Sequence, residues 1–308
     1  MSEKILSVNL DANETAFFSR ELEFVKARTY DKKYAEVRYS KFIPVSTEAN
    51  SGADSITYTS YDMAGMAKII SNYADDLPRC DAFGTQTTVK VRGIGDAYGY
   101  NLQEIRASQM ANKGLDQKKA NSARRGVEQK LNNLAWLADG TDGIYGLIRN
   151  PNITAHTAPT GGWSAAAAAT ILADMMYAID TITTTTNGVE IPNTLLMPLK
   201  QYALISSKPL AVGSDTTILE FFKRQRPGVT VEWLQELKDV TTAPYSGTTK
   251  DCMLAYANDS DHLSFEMPQA FEQLPAQERN LEFVINCHAR CAGVLVYYPT
   301  AVHIVENI

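Results

Sequence analysis

The residues most able to do chemistry lie in three short runs. Cys287-His288-Ala289-Arg290-Cys291 offers two thiols and an imidazole, three potential ligands for a metal such as zinc. The segment continues a strand, however, where residues one apart face opposite sides, and no second ligand pair accompanies it. Buried, inert cysteines are the expectation there. Gly93-Ile-Gly95-Asp-Ala-Tyr-Gly99 sits between a strand and a helix, where a dinucleotide loop would sit. Its spacing is one residue too long, and no strand ending in an acidic residue follows to hold a ribose, so a strand-to-helix turn is expected. Gly140, Gly143 and Gly146 precede Pro151 with no lysine or serine-threonine pair placed to hold a phosphate. Glycine after a long helix is what a helix stop requires, and the proline prevents resumption. These three glycines read as a hinge that binds nothing, anchored by Ile144, Leu147 and Ile148. Nucleophile-elbow, metalloprotease and P-loop motifs are missing, and the four histidines, His156, His262, His288 and His303, are dispersed. The residues therefore call for no catalytic group, cofactor or metal.

The elements that would position any site change character along the chain. Residues 1–45 read as a near-neutral, amphipathic arm. Ile56 to Ile70 and Thr85 to Gly93 are β-rich and imply a long hairpin. Its Tyr58, Tyr61, Met63 and Met66 have no obvious partner, so it is a candidate contact surface. From Asn101 to Ala138 apolar residues recur every three or four positions, giving a helix of more than ~50 Å if unbroken, with a kink or break allowed at Gly114. That length needs something to run along and points to an elongated shape. The second half alternates helix and strand: helices at Ser164–Ile182, Leu199–Ser206 and Thr217–Gln225, strands at Thr194–Met197, Val229–Trp233, Cys252–Ala257, Leu281–Asn286, Cys291–Tyr298 and Ala301–Val305. Such alternation predicts a mixed sheet with helices against it.

Bulk properties narrow the function. The 308 residues allow about two lobes of ~150 residues. A net charge of −6 argues against holding nucleic acid by phosphate neutralisation, but not against enclosing it. No secretory signal is visible. The alanine-rich Ser164–Ile179 is too short to span a bilayer, so a soluble, intracellular protein without membrane contact is expected. Four scattered cysteines imply reduced thiols. Between Asn101 and Gly140 there are seven basic residues, Arg106, Arg124 and Arg125 among them, against four acidic ones; from Asp259 onward there are seven acidic residues and two arginines. Helix and C-terminal sheet could complement each other within one chain or between chains.

Four blocks resemble the major capsid proteins of tailed bacteriophages, with the Hong-Kong-type (Johnson) fold. They are KFIPVSTEANSGADSITYTSYDMAGMAKIISNYADDLPRCD (41–81), VRGIGDAYGYNLQEIRAS (91–108), SARRGVEQKLNNLAWLADG (122–140) and RCAGVLVYYPTAV (290–302). The resemblance implies an α+β capsid fold. Its parts would be an N-arm at 1–45, an extended E-loop hairpin within 46–98, a peripheral domain of 99–158 and 256–308 containing the spine helix, and an α/β axial domain at 159–255. It implies a structural protein that self-assembles into hexamers and pentamers of an icosahedral head shell in the host cytoplasm. The shell would enclose DNA without sequence-specific binding, with neighbouring subunits and scaffold, portal or decoration proteins as partners. Tyr58, Tyr61, Met63, Met66, Lys68, Arg92, Arg106, Arg124 and Arg125 become candidate inter-subunit contacts. Some members cross-link an E-loop lysine to a neighbour's asparagine; Lys68 and Lys90 match no such motif, so no covalent chemistry is expected. With the arm starting near Met1, any scaffold is expected to be separate or absent. An encapsulin-like compartment and a soluble α/β enzyme using Cys287 and His288, or the glycines at 93–99, are the alternatives.

Overall fold

The computed structural model describes residues 34–64, 79–111, 115–159, 161–211, 213, 215–241 and 249–308. The chain divides into two units, Met1–Glu36 and Val37–Ile308. That division falls inside the expected arm of 1–45. Residues 37–45 belong to the body, because Tyr39, Phe42 and Ile43 are buried in its core and Val45–Ser46 pairs in parallel with Phe265–Glu266.

A five-stranded mixed sheet organises this second unit. Its order is Ala155–Thr157, Val302–Glu306, Cys252–Tyr256, Thr194–Met197, Thr230–Trp233, with parallel pairs at both edges and antiparallel pairs inside. Strand residues alternate between faces, and here both faces are covered. Leu196, Cys252, Leu254, Tyr256, Val302 and Ile304 join one core, while Leu195, Met197, Met253, Ala255 and Val305 join another. The first core takes Val127, Leu131, Leu134 and Ala135 from the helix Leu115–Leu137. The second takes Ile171, Met175, Ala178, Ile179 and Ile182 from the helix Ala168–Thr185, at steps of three or four, with Ile205 and Phe222 from two shorter helices. One of these, Ile218–Gln225, opens on a capping box in which Thr217 and Glu220 satisfy each other's backbone N–H groups. It stops at Arg226-Pro227-Gly228 as the sequence predicts.

This mixed sheet with helices against it is the expected architecture, with one refinement. The boundary at 255/256 cuts the sheet, since Val302–Glu306 pairs along Cys252–Tyr256 and completes both cores. The long helical stretch is two helices, Leu102–Ala111 and Leu115–Leu137; Gly114 lies outside the described residues.

Two further expectations are corrected. Gly93–Gly99 is no turn: Arg92–Asn101 is a strand paired over ten residues with Glu282–Cys291. The glycines leave space for the facing strand, since a Cβ on Gly93 would come within 3.0 Å of the His288 imidazole. Nor is Cys291–Tyr298 one strand. The chain leaves the first ladder at Cys291 and enters a different sheet at Gly293–Val296, beside Leu263–Glu266. Gly293 makes that switch at φ +81°, where a Cβ would lie 2.9 Å from the Tyr145 carbonyl.

Candidate assembly surface

The hairpin expected from sequence is present. Ser55–Ala64 pairs antiparallel with Asp81–Lys90 over ten residues. None of its described side chains is buried. A two-stranded ribbon is marginal in water on its own, so its root must be held and the rest needs a surface. The root is held by Arg290, whose guanidinium donates to the Ser51 carbonyl and to Asp54 Oδ1 at 3.2 Å. Val91 N–H donates to the Asp54 carbonyl at 2.9 Å.

The hairpin candidates separate along its length. Tyr58 turns inward: its ring meets Tyr297 edge-on at 5.0 Å and its hydroxyl donates to the Val296 carbonyl at 3.4 Å. Its contacts are therefore made within the chain. Tyr61 is 70% exposed and lies over Gly84, while Phe83, 63% exposed, was missed by the sequence reading. Tyr61 faces Gly84 in the ladder and Phe83 faces Asp62, so the ribbon shows one uncovered aromatic on each side. Met63 stands opposite Ala82. Met66 and Lys68 lie outside the described residues.

The basic candidates are dispersed rather than gathered. Arg92 donates from Nε to the Asp142 carbonyl at 2.8 Å, tying the strand to the glycine segment. Arg106 is exposed on Leu102–Ala111 and Arg125 is half-buried. Arg124 pairs with Glu128 at 3.0 Å and Lys119 with Glu104 at 2.8 Å, so these two cations find their acids within the helical stretch itself. Exposed pairs of this kind contribute ~0–1 kcal/mol.

The glycine segment is a tied corner. Gly146, Leu147 and Ile148 donate back to the carbonyls of Ala138, Ala135 and Trp136, so the chain folds directly onto the helix end. Gly140 and Gly143 have φ of +85° and +76°. Gly146 is required for space, since an added Cβ would lie 2.6 Å from the backbone carbonyl of Trp136. Ile144, Leu147 and Ile148 are buried beneath it, as expected from sequence.

Among the described residues, no group of three His, Cys, Asp or Glu side chains could hold a metal. Cys287 and Cys291 are buried; burial pushes the Cys291 thiol up to about 11 and raises that of Cys287. Burial likewise pushes Cys252 up to about 12, which leaves these thiols protonated and unreactive. Among the described residues, no helix is long and apolar enough to cross a membrane.

The family model described as "Major capsid protein" matches residues 65–308, well over half of the chain. The chain belongs to the major capsid protein family. The capsid protein's fold is shared with solved shells at low sequence identity. With the capsid of Myoviridae phage XM1 the TM-score is 0.81 at 18% identity, covering 94% of this chain and 98% of that one. With the structure from Mycobacterium phage Bobi it is 0.67 at 13% identity, covering 97% and 98%. With the virus-like particle from Pyrococcus furiosus it is 0.58 at 13% identity, covering 87% and 91%. No curated protein matches the capsid protein by sequence. Membership of a family of structural capsid proteins makes it a shell component of the virion and not an enzyme.

Proposed function

We propose that this capsid protein assembles itself into hexamers and pentamers that close an icosahedral head around the phage genome, with assembly in the host cytoplasm. The observation that carries this reading is the ten-residue ribbon Ser55–Ala64/Asp81–Lys90. It is clasped at its root and by Tyr58, and beyond that it presents Tyr61 and Phe83 uncovered on opposite faces. A ribbon with no core of its own is explained by a neighbouring copy that covers it. In this reading the ribbon is the E-loop within 46–98, the helix Leu115–Leu137 is the spine of the peripheral domain, and the lobe around 159–255 is axial. The Gly140, Gly143 and Gly146 corner is the joint where the spine gives way to that lobe. Arg106, Tyr61 and the stretch holding Met63, Met66 and Lys68 supply contacts to neighbours. The net charge of −6 fits a wall around DNA that carries no cationic glue.

Deleting Asp54 to Lys68 tests the reading. The deleted subunit should stay folded, because both cores lie elsewhere, and should fail to close shells in negative-stain micrographs. Normal particles from the deletion would refute the hairpin's role. The fold shared with the virus-like particle from Pyrococcus furiosus supports a second reading, a compartment that holds protein cargo. Nuclease-resistant DNA in purified particles separates the two.

A further inference from the structure

The helix Leu199–Ser207, the loop at Gly162–Ser164 and Asp251 enclose a cleft of about 450 Å³ that none of the assignments above uses. That volume is the size of a site for one long side chain or a small molecule. Gln201 forms part of its wall and is 5% exposed. The Gln201 amide nitrogen donates to Asp251 Oδ2 at 2.6 Å and to the Ile308 carbonyl at 3.4 Å. Both partners only accept, so the amide cannot be turned round, and Gln201 Oε1 is left buried with no donor among the described residues. A buried acceptor without a partner is unfavourable until a donor arrives. Asp251, half-buried beside it, adds negative charge. The occupant must therefore bring N–H or O–H groups, and a guanidinium, which can donate to Gln201 Oε1 and Asp251 together, suits the site even with Lys200 on its wall.

The same stretch carries matching cations. Residues 159–255 contain seven Lys and Arg: Lys200, Lys208, Lys223, Arg224, Arg226, Lys238 and Lys250. Lys200 lines the cleft itself. Lys208 donates to the Ala166 carbonyl, Arg226 pairs with Asp180, Lys238 with Asp239 at 3.4 Å and Lys250 with Glu306 at 3.2 Å. Lys223 and Arg224 remain: exposed, consecutive, on the last turn of Ile218–Gln225, and with no carboxylate paired to them among the described residues.

We propose that Arg224, with Lys223 beside it, enters the Gln201–Asp251 cleft of a second copy and donates to Gln201 Oε1. The two patches share no residue, so the contact is head-to-tail, the kind that closes rings rather than pairs. It deepens the shell reading and rests on it, placing one of the capsomer's specific contacts between neighbouring 159–255 lobes.

The test uses the full chain in an assembly assay, with capsomers and shells separated by sedimentation and counted by negative-stain microscopy. Lys223→Glu/Arg224→Glu alters only exposed positions, so the subunit should still fold, with a modestly lowered melt because two acids now sit on the last turn of the helix, a loss the folded-subunit melt reads separately. It should raise the concentration needed for assembly on the order of tenfold, as loss of a close interfacial charge pair does. Ala203→Arg, at an exposed position of the cleft wall, should do the same by filling the cleft with like charge. Combined in one chain, the three changes place arginine opposite glutamate and should restore assembly to near the wild-type concentration. Variants that assemble like wild type would show that the cleft holds only water and overturn the proposal. Loss in both variants without rescue would overturn the pairing. A wild-type chain that forms no rings or shells would overturn the shell reading and this inference with it.

Discussion

His303 makes the stability of the capsid protein depend on pH in a calculable way. The residue is 4% exposed on the strand Val302–Glu306, between the two cores. Its Nδ1 lies 3.3 Å from the Ala178 carbonyl and its Nε2 lies 3.0 Å from His156 Nδ1, with the Tyr177 ring edge-on at 5.7 Å. A carbonyl only accepts, so Nδ1 carries the proton and Nε2 accepts from His156. A second proton on Nε2 would meet the N–H of His156 head-on. Burial first, and His156 second, push the His303 pKa down from 6.5 to about 4. Above 6.5 the ring is neutral whether the chain is folded or not. Between 6.5 and 4 the unfolded chain binds a proton that the folded chain refuses, so stability falls as pH falls through that window, and below 4 the loss is complete. The displacement corresponds to about 3 kcal/mol at ~1.4 kcal/mol per pH unit, or about 5 °C in Tm for a chain this size. Calorimetric melts of the unassembled subunit from pH 7.5 to 4, compared with His303→Gln in a His156→Gln background as well as alone, isolate the effect because titrating groups away from this pair cancel. The wild-type Tm should fall about 5 °C further than the variant's. Parallel curves would refute the buried-imidazole argument.

Three more outcomes are expected. Gly146→Ala should lower subunit stability by about 3 kcal/mol, because Trp136 backbone cannot yield to a Cβ; a melt within ~0.5 kcal/mol of wild type would contradict the corner. Tyr61→Ser with Phe83→Ser should leave the subunit melt within about 0.5 kcal/mol of wild type, since both side chains are exposed, yet reduce shell yield in sedimentation. Iodoacetamide on the native protein should alkylate Cys80 alone of the four cysteines, and all four after denaturation, as read by intact mass.

What was legible in the sequence is what local chemistry decides. The helix at Ile218–Gln225 was visible because Arg226-Pro227-Gly228 ends it and its apolar residues recur at helical spacing. Thr194–Met197 and Ala168–Thr185 were visible for the same kind of reason. Arg92–Asn101 was not, because five of its ten residues argue against a strand: three glycines, Asp96 and Asn101. Only its partner Glu282–Cys291, far away in sequence, makes it one. The switch at Ala292–Gly293 was hidden by an unbroken apolar run and is dictated by the crowding of Gly293 against Tyr145. On the hairpin, Tyr58 and Tyr61 were read as one contact set, though three positions apart they must face opposite sides of a strand; that period was the overlooked signal. Phe83 sits in a segment with little β character, and its exposure follows from the ladder alone. The orphan Gln201 oxygen depends on Asp251 and Ile308 converging on one amide, which no spacing reveals.

The place of Val302–Glu306 has a consequence for synthesis. This strand joins Ala155–Thr157 to Cys252–Tyr256, and it contributes side chains to both cores. A nascent chain that has not yet produced it has neither core finished, however long it has waited on the ribosome. Its pairing with Ala155–Thr157 spans about 150 residues, the kind of long-range pairing that makes folding slow. In the proposed shell, a truncated product would be barred by its own incompleteness, and a lattice of many copies would be protected from such parts without a separate inspector.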